Sequence, residues 1–398
     1  MLNRILAGIV LAGSLACASC SMMHDDLGDC PKGLYVRFVY DYNTQRADMF
    51  KDHCGHVTLY VYDESGKKVA ERTVKNTESE QPLAQYGYTM HFTPEELPTG
   101  VYRLQAVAMQ SDWDATLQKP GAKFHRSEVT DQESLVISLD HAKEPVEGTM
   151  ELPVSDVAPL DTLWHTLRVT SLLPTDGVKV PAPAATKAPY SIYPIPDQYV
   201  FVDQEMATYA TVSLIRDTKH ISVTIRQLQE PEKVHHATYD VHIVDSNAQL
   251  AHDNEVIHKE TLRYTPYAQW TTRVNTGEEE TGDDITKSRA DVTPAVINTT
   301  AHYNLMCNRL MLNAERRQDA TLVVNNRETG EEIVALDLPV TLANGRNAWE
   351  QYNWTSQQYL DREYDYDLDL LLNGAEWVYV TIRVNVLSWS KRIQHETL

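Results

Sequence analysis

The chain carries too few positive charges for a nucleic-acid-binding protein. It has 35 Lys and Arg residues against 56 Asp and Glu residues, which gives a formal net charge of −21 at pH 7. This balance repels a phosphate backbone and provides no electrostatic attraction to anionic lipid surfaces. The chain also lacks a long apolar run after residue 19, so we predict no transmembrane helix there. Nucleic acid is thus excluded as a partner, and attachment to a membrane would need another device.

Sequence patterns that carry catalysis or bind cofactors are missing as well. The chain has no zincin, P-loop, nucleophile-elbow or dinucleotide-glycine pattern. The densest histidine group, His235, His236 and His242, is spaced too widely for one metal on a strand, and we interpret it as solvated strand histidines. Read as a strand, residues 361–369 put five acids on one face, which does not match a Ca²⁺ loop and indicates a solvated acidic face. We therefore expect no enzyme, no cofactor and no metal.

The N-terminus has the composition of a secretory signal peptide. Arg4 is its one charge, and the apolar stretch that follows is too short to span a bilayer. The small residues that run into Cys20 resemble a bacterial lipobox, in which the cysteine thiol receives a diacylglycerol and the preceding segment is removed. We predict removal of residues 1–19 and lipid attachment at Cys20. Cys17 is the alternative lipidated residue, and a secreted protein without lipid is the other alternative.

Acyl chains would supply the membrane affinity that the charge of the protein cannot. Each buried methylene contributes roughly 0.8 kcal/mol, and stable anchoring takes more than one chain. A lipoprotein cysteine carries more than one chain, so the lipid alone would suffice. Residues 20–30 are short and polar, and we interpret them as a spacer between the lipid and the fold.

Few cysteines remain in the mature chain, and they limit the disulfides that can form. Cys30 and Cys54 are close in sequence, flank a predicted strand and would lie in an oxidising compartment. We predict a disulfide between them, which would contribute roughly 3 kcal/mol if it closes without strain. Two separate buried thiols are the alternative. Cys307 would then be a small buried hydrophobic residue.

Short alternating segments fill the rest of the chain and predict an all-β protein. Apolar residues alternate with polar ones at 34–38, at 57–62 and, in the longest run, at 378–386. Residues 63–66 predict a hairpin turn after the second of these segments. Tyrosines outnumber phenylalanines 21 to 5, which suits half-exposed sheet faces. Helical patterns are few, and residues 354–360 predict a short helix.

Prolines crowd the region between two β-rich parts of the chain. Because proline cannot donate to a strand ladder and stiffens the backbone, we interpret this region as a linker or a surface insertion. Turn signals between short strands on both sides favour antiparallel sandwiches. The predicted division is a signal peptide at 1–19, a spacer at 20–30, an N-terminal β-sandwich at 31–155, a linker or insertion at 156–200 and a C-terminal β-sandwich at 201–398.

Several blocks of the sequence resemble the fimbrillin-associated anchor lipoproteins of type V fimbriae. The match begins at residues 25–34 (DDLGDCPKGL) and 36–43 (VRFVYDYN), and residues 54–63 continue it. Residues 165–200 depart from the family as an apparent insertion. The blocks in the second half lie at 264–267, 308–310, 359–364 and 382–389.

The resemblance implies a fold and a role. It implies two tandem transthyretin-like antiparallel β-sandwich domains, with Cys20 as the lipid-bearing residue and Cys30 paired with Cys54. It also implies an anchor subunit at the base of a fimbrium, lipid-anchored at the outer membrane and facing the cell surface, with control of shaft length as a further role. The implied partner is a fimbrial shaft subunit, joined by strand exchange at an open sheet edge, where a donated strand pairs with free backbone groups.

Three other functions stay open on the sequence alone. One is a fimbrial tip or shaft subunit, although the short spacer after Cys20 leaves no evident strand for proteolytic removal. Another is a glycan-binding surface lipoprotein, which would need exposed aromatic platforms. The last is an enzyme on a sandwich scaffold, since a fold does not decide a function.

Overall fold

The structure, a computed structural model, is built mostly of strands. This confirms the all-β prediction, whereas the transthyretin-like topology stays a prediction. The described residues are 31–75, 87–155, 157–171, 199–275, 297–313, 315, 318–374, 376–386 and 389–396.

The first part of the chain forms eleven of the described strands and two short helices. The strands are β1 Gly33–Val39, β2 His56–Tyr62, β3 Lys68–Lys75, β4 Thr89–Phe92, β5 Gly100–Met109, β6 Phe124–Arg126, β7 Ile137–Leu139, β8 Leu152–Pro153, β9 Leu163–Ser171, β10 Tyr199–Val202 and β11 Ala207–Arg216. The helices are α1 Phe50–His53 and α2 Trp113–Thr116.

The second part forms the remaining described strands and two further helices. The strands are β12 Lys219–Gln227, β13 Tyr239–Asp245, β14 Gln249–Leu250, β15 Val256–Ile257, β16 Leu262–Tyr264, β17 Ala268–Asn275, β18 Ile297–Cys307, β19 Thr321–Asn326, β20 Glu332–Asp337, β21 Asp365–Asn373, β22 Glu376–Val386 and β23 Trp389–Glu396. The helices are α3 Leu338–Ala343 and α4 Ser356–Arg362.

An eight-stranded sheet takes in most of the first part of the chain. Its strand order is β3-β2-β5-β9-β11-β1-β4, and β10 pairs beside β5. Strand β1 lies inside this sheet, parallel to β11 on one side and antiparallel to β4 on the other. Leu34, Val36 and Phe38 alternate inward from β1 and are buried, as the period-two pattern predicts.

The local turn and helix predictions are confirmed with small shifts. Strands β2 and β3 form the expected hairpin, and the Asp63 side chain accepts hydrogen bonds from the backbone of Ser65 and Lys67. Gly66 adopts a φ of 84°, which favours glycine. Helix α4 starts two residues after the predicted helix because Thr355 forms a capping box with Gln358.

Strand pairing departs from the predicted domain limits. Strand β11 lies in the predicted C-terminal sandwich and β10 crosses its predicted start, yet they pair with β5, β9 and β1 of the first sheet. Strand β9 lies within the predicted linker and joins the same sheet. Alternation shows that a segment is a strand, but it does not show which distant strand will pair with it, so the limits at 155 and 201 do not follow the sheets.

Three smaller sheets complete the molecule and mix the two parts of the chain. The second part contributes a six-stranded sheet of order β17-β18-β12-β21-β22-β23. In a five-stranded sheet, of order β20-β19-β13-β16-β8, strand β8 of the first part pairs with β16. In a four-stranded sheet, of order β15-β14-β7-β6, strand β14 of the second part pairs with β7.

The buried apolar residues form two main cores. One lies on the inner face of the eight-stranded sheet and includes Phe38, Leu59 and Trp164. The other runs without a break from Phe124 in the first part to Tyr303 in the second. Burying a large apolar side chain stabilises the fold by about 1.5–3 kcal/mol, so this shared core ties the two parts together.

Candidate assembly surfaces

The N-terminal start of the fold is held on several sides. The Gly33 amide donates to the Met206 carbonyl at 3.2 Å, and the Lys32 ammonium pairs with Glu205 at 3.0 Å. Gly33 has a φ of 86°, and a Cβ there would lie 2.2 Å from the Phe92 carbonyl oxygen. Glycine is therefore required where the chain enters β1.

Strand β1 is well placed to resist tension from the segment before it. All seven of its residues are in register with β11, and Leu34 to Arg37 are also in register with β4. A pull on the preceding chain acts along the strand, so the hydrogen bonds on both sides bear it together.

A two-residue link joins the two largest sheets. Strand β11 ends at Arg216 and β12 begins at Lys219, and the link between them, Asp217 and Thr218, is fully buried. The Asp217 carboxylate contacts the ring of His165 at 2.6 Å and accepts from the Asn254 amide at 2.7 Å. Both neighbours fix the carboxylate, so the link has little freedom to bend.

Buried charges surround this link. The ammonium of Lys219 donates to the Glu363 carbonyl at 2.9 Å, and burial lowers the pKa of Lys219 to about 8. Burial also raises the pKa of the Glu363 carboxyl to about 6, although the backbone amides of Tyr364 and Asp365 oppose this. The junction therefore contains two groups whose charged forms are disfavoured by the fold.

A buried ion pair and two ring contacts complete the junction. The Arg309 guanidinium binds both carboxylate oxygens of Asp361 at 3.1 Å, in a bidentate geometry. Arg362 lies 3.7 Å from the centroid of the Tyr42 ring, and Arg216 lies 4.1 Å from that of Tyr364. The Arg362 contact joins the loop after β1 to the segment that leads into β21, and the Arg216 contact joins the end of β11 to the same segment.

Strand β17 presents an edge of the six-stranded sheet. Among the described residues it pairs with β18 alone, over eight positions. Trp270 is 41% exposed and stacks on His302 with ring centroids 5.0 Å apart, and Val274 is 55% exposed. The strand contains no proline or lysine, the residues that commonly blunt an edge, and Arg273 is its one charged residue.

Strand β3, an edge of the eight-stranded sheet, differs from β17 because charged side chains protect it against pairing with another chain. Its sequence, KVAERTVK, places a charge at four of its eight positions. The ammonium of Lys68 pairs with Glu71 at 2.7 Å. Charged side chains on an edge disfavour pairing with another chain, so β17 is the better candidate for receiving a donated strand.

Of the cysteines predicted to be functional, the structure describes Cys54. Cys17, Cys20 and Cys30 lie outside the described residues, and within those residues Cys54 and Cys307 are buried and in no disulfide. Cys54 follows α1, whose His53 ring packs against Tyr40, just after the end of β1. The disulfide between Cys30 and Cys54 stays a prediction.

The interpretation of three histidines as solvated strand residues is wrong for His242. This residue is 2% exposed inside β13, between neighbouring strands, and contacts Arg263 at 2.9 Å. Burial, followed by the charge of Arg263, lowers its pKa to about 4. His235 and His236 lie in a short turn before β13, where a period-two pattern does not apply.

The single acidic strand face predicted at 361–369 is also wrong. Asp361 ends up buried in α4 and Glu363 is buried just after it, so the strand begins only at Asp365. Asp365 contacts His220 at 2.6 Å, and Asp369 accepts from Arg383 at 3.2 Å. The capped helix removes the first two acids from the strand and turns them into the junction.

Within the described ranges, no three His, Cys, Asp or Glu side chains come together as a metal site. No helix of the described part is both long and apolar enough to cross a bilayer.

Solved structures define the class of this fold. A candidate adhesin from Bacteroides thetaiotaomicron superposes with a TM-score of 0.63 at 23% identity, over 92% of this chain and 100% of its own. A candidate polysaccharide-binding protein of the same species gives 0.59 at 22% identity, over 92% and 99%. A candidate adhesin from Bacteroides ovatus gives 0.57 at 19% identity, over 91% and 95%. The chain thus has the fold of this class of adhesin-like β proteins.

The family follows from the sequence. The model of the fimbrillin-A associated anchor proteins Mfa1 and Mfa2 matches residues 27–171 and 196–395. The chain belongs to this family, and it is a cell-surface protein associated with fimbriae. The gap in the match falls within residues 165–200, which the sequence predicts to depart from the family. Comparison with the curated proteins gives no match.

Proposed function

We propose that this protein is the lipid-tethered anchor subunit at the base of a fimbrium. Acyl chains on Cys20 hold it to the outer membrane, residues 20–30 space it from the lipid, and the folded body binds the first shaft subunit. The family match supports the fimbrial part of this proposal. The small residues before Cys20 support the tether.

The position of β1 is the observation that carries the proposal furthest. This strand follows the spacer directly and is paired on both of its sides. An anchor has to transmit tension from the lipid to the shaft without unfolding, and an interior strand suits that task better than an edge strand. The rigid junction at Asp217 would pass the tension on to the second large sheet.

We place the contact with the shaft at β17. A donated strand from the shaft subunit would pair with the edge of β17 that no described strand occupies and satisfy its backbone groups. Trp270 and Val274 would contribute apolar contact area on this edge. The edge at β3 exposes Val69, but four of its eight residues are charged.

The first experiment follows fimbriae in cells that carry Cys20→Ala at native expression. Fimbrillin is quantified in washed cells and in the culture medium. We expect shaft polymer to form and to move into the medium, because the tether is lost. If fimbriae stay on the cells, the double variant Cys17→Ala/Cys20→Ala decides between the other cysteine and a different anchor.

A further inference from the structure

A cavity of about 290 Å³ opens beside the four-stranded sheet. It lies between the segment after β5, which contains α2, and the segment that leads into β9. The polar residues on its wall are Gln110, Ser111, Thr116, Lys119, Lys123 and Asp161.

Lys123 is the unusual residue of this wall. It is 8% exposed, and its ammonium donates to the carbonyl of Gly121. Among the described residues no carboxylate lies within ion-pair distance of it. A buried charge with one neutral acceptor is unfavourable unless a counter-charge approaches, and the cavity is the open space from which one could come.

The other polar groups on the wall are mostly donors. The ammonium of Lys119 contacts the Ser111 hydroxyl at 2.5 Å, which leaves further N–H groups. The Gln110 carbonyl oxygen accepts from Thr162 at 3.0 Å, so the amide N–H groups of Gln110 remain. The wall can therefore donate to an acceptor-rich molecule.

Asp161 is the one acid on the wall, and its oxygens are occupied. One accepts from its neighbour's backbone amide, and the other accepts from the Thr116 hydroxyl at 2.9 Å and the Ser111 amide at 3.3 Å. Two lysines against this carboxylate leave the wall with one net positive charge, in a chain whose net charge is −21.

We propose that this cavity binds a single sugar acid. Its carboxylate would lie at the ammonium of Lys123, with Lys119 beside it, and its hydroxyls would accept from Gln110. The volume is near the lower end of ligand pockets, roughly 300 Å³, which suits one hexose-sized molecule. This site lies apart from β17 and does not rest on the anchoring function.

Isothermal titration calorimetry on the mature protein tests the proposal with glucuronate, glucose and inorganic phosphate as probes. We expect glucuronate to bind at least tenfold more tightly than glucose, because the carboxylate neutralises Lys123. The Lys123→Met variant should lose at least tenfold in affinity for glucuronate. Lys143→Met, which removes an exposed lysine in the loop after β7, should bind as the wild type does.

Three results would overturn the proposal. They are no heat of binding with glucuronate, unchanged affinity for glucuronate in the Lys123→Met variant, and binding of phosphate at least as tight as that of glucuronate. Thermal unfolding checks that Lys123→Met is folded. If it is not, Lys119→Gln, at the exposed rim, takes its place, and it should weaken glucuronate binding at least threefold.

Discussion

Strand β1 is paired on both sides, whereas β17 pairs with one strand of the described chain. The inward side chains of β1 are buried, while β17 exposes Trp270 and Val274. The same period-two pattern thus produces an interior strand in one place and, among the described residues, an edge strand in another. The first arrangement resists tension, and the second leaves backbone groups for a partner.

The buried junction connects the two sheets that contain these strands. If the junction is rigid, tension at β1 reaches the sheet of β17 without local unfolding. Each prediction below tests one part of this comparison, from the largest effect on stability to the smallest.

The ion pair at the junction should have the largest effect. Asp361→Ala leaves the buried Arg309 guanidinium without its paired carboxylate and with the Asn254 carbonyl as an acceptor. We expect a loss of about 3–5 kcal/mol in the free energy of unfolding. The matched control Asp365→Ala breaks a partly exposed contact with His220 and should cost less than about 1 kcal/mol. Urea denaturation measures both. Equal losses would show that Asp361 is not a special part of the junction.

The next largest effect should be a difference in stability cost between substitutions on the two faces of β1. Leu34→Ala removes a fully buried side chain and should cost about 2–5 kcal/mol. Tyr35→Ala, on the opposite face, removes a ring that stacks on His91 and should cost about 1 kcal/mol. If the outward residue proved the more costly one, the assignment of the inner face of the sheet would be wrong.

The contribution of the junction to the free energy of unfolding should change with pH, by a smaller amount and in a defined direction. The pKa of Glu363 is raised in the fold from 4.5 to about 6, so the folded protein binds more protons than the unfolded chain in that range. The stabilisation is complete below pH 4.5 and is lost as the pH rises through about 6, a change of about 2 kcal/mol. Glu363→Gln should remove this part of the profile. Parallel pH profiles of wild type and variant would refute the assignment.

The edge of β17 should matter for binding while barely affecting stability. Val274→Lys puts a charge on an exposed edge residue, so we expect a change in stability within about 0.5 kcal/mol. Binding to the purified shaft subunit should weaken at least tenfold. Val69→Lys on the edge strand β3, where Val69 is 46% exposed, is the matched control and should bind normally. Equal loss in both variants would argue against β17 as the contact.

Part of the molecule could be predicted because it depends on neighbours in sequence. Leu34, Val36 and Phe38 alternate inward as expected, and the turn at Gly66 follows from local backbone preferences. The capping residues Thr355 and Gln358 determine where α4 begins. Each of these features involves residues within a few positions of one another.

Other parts depend on contacts that the sequence does not display. The burial of His242, Asp361 and Glu363 contradicts their polarity, and it results from neighbouring strands and from ion-pair partners far along the chain. The placement of β11 beside β1 joins residues more than 170 positions apart. Period-two alternation carries no information about such partners.

The strand-rich character of the chain, its acidic composition, its membership in the anchor family and the expectation of a lipid at Cys20 can all be read from the amino-acid sequence. These follow from composition, local periodicity and short blocks of residues. Which strands lie inside a sheet, which form its edges and where charges are buried became clear from the folded chain. Pairing partners are chosen by the packing of the whole chain, because a strand is stabilised by distant neighbours and not by its own pattern.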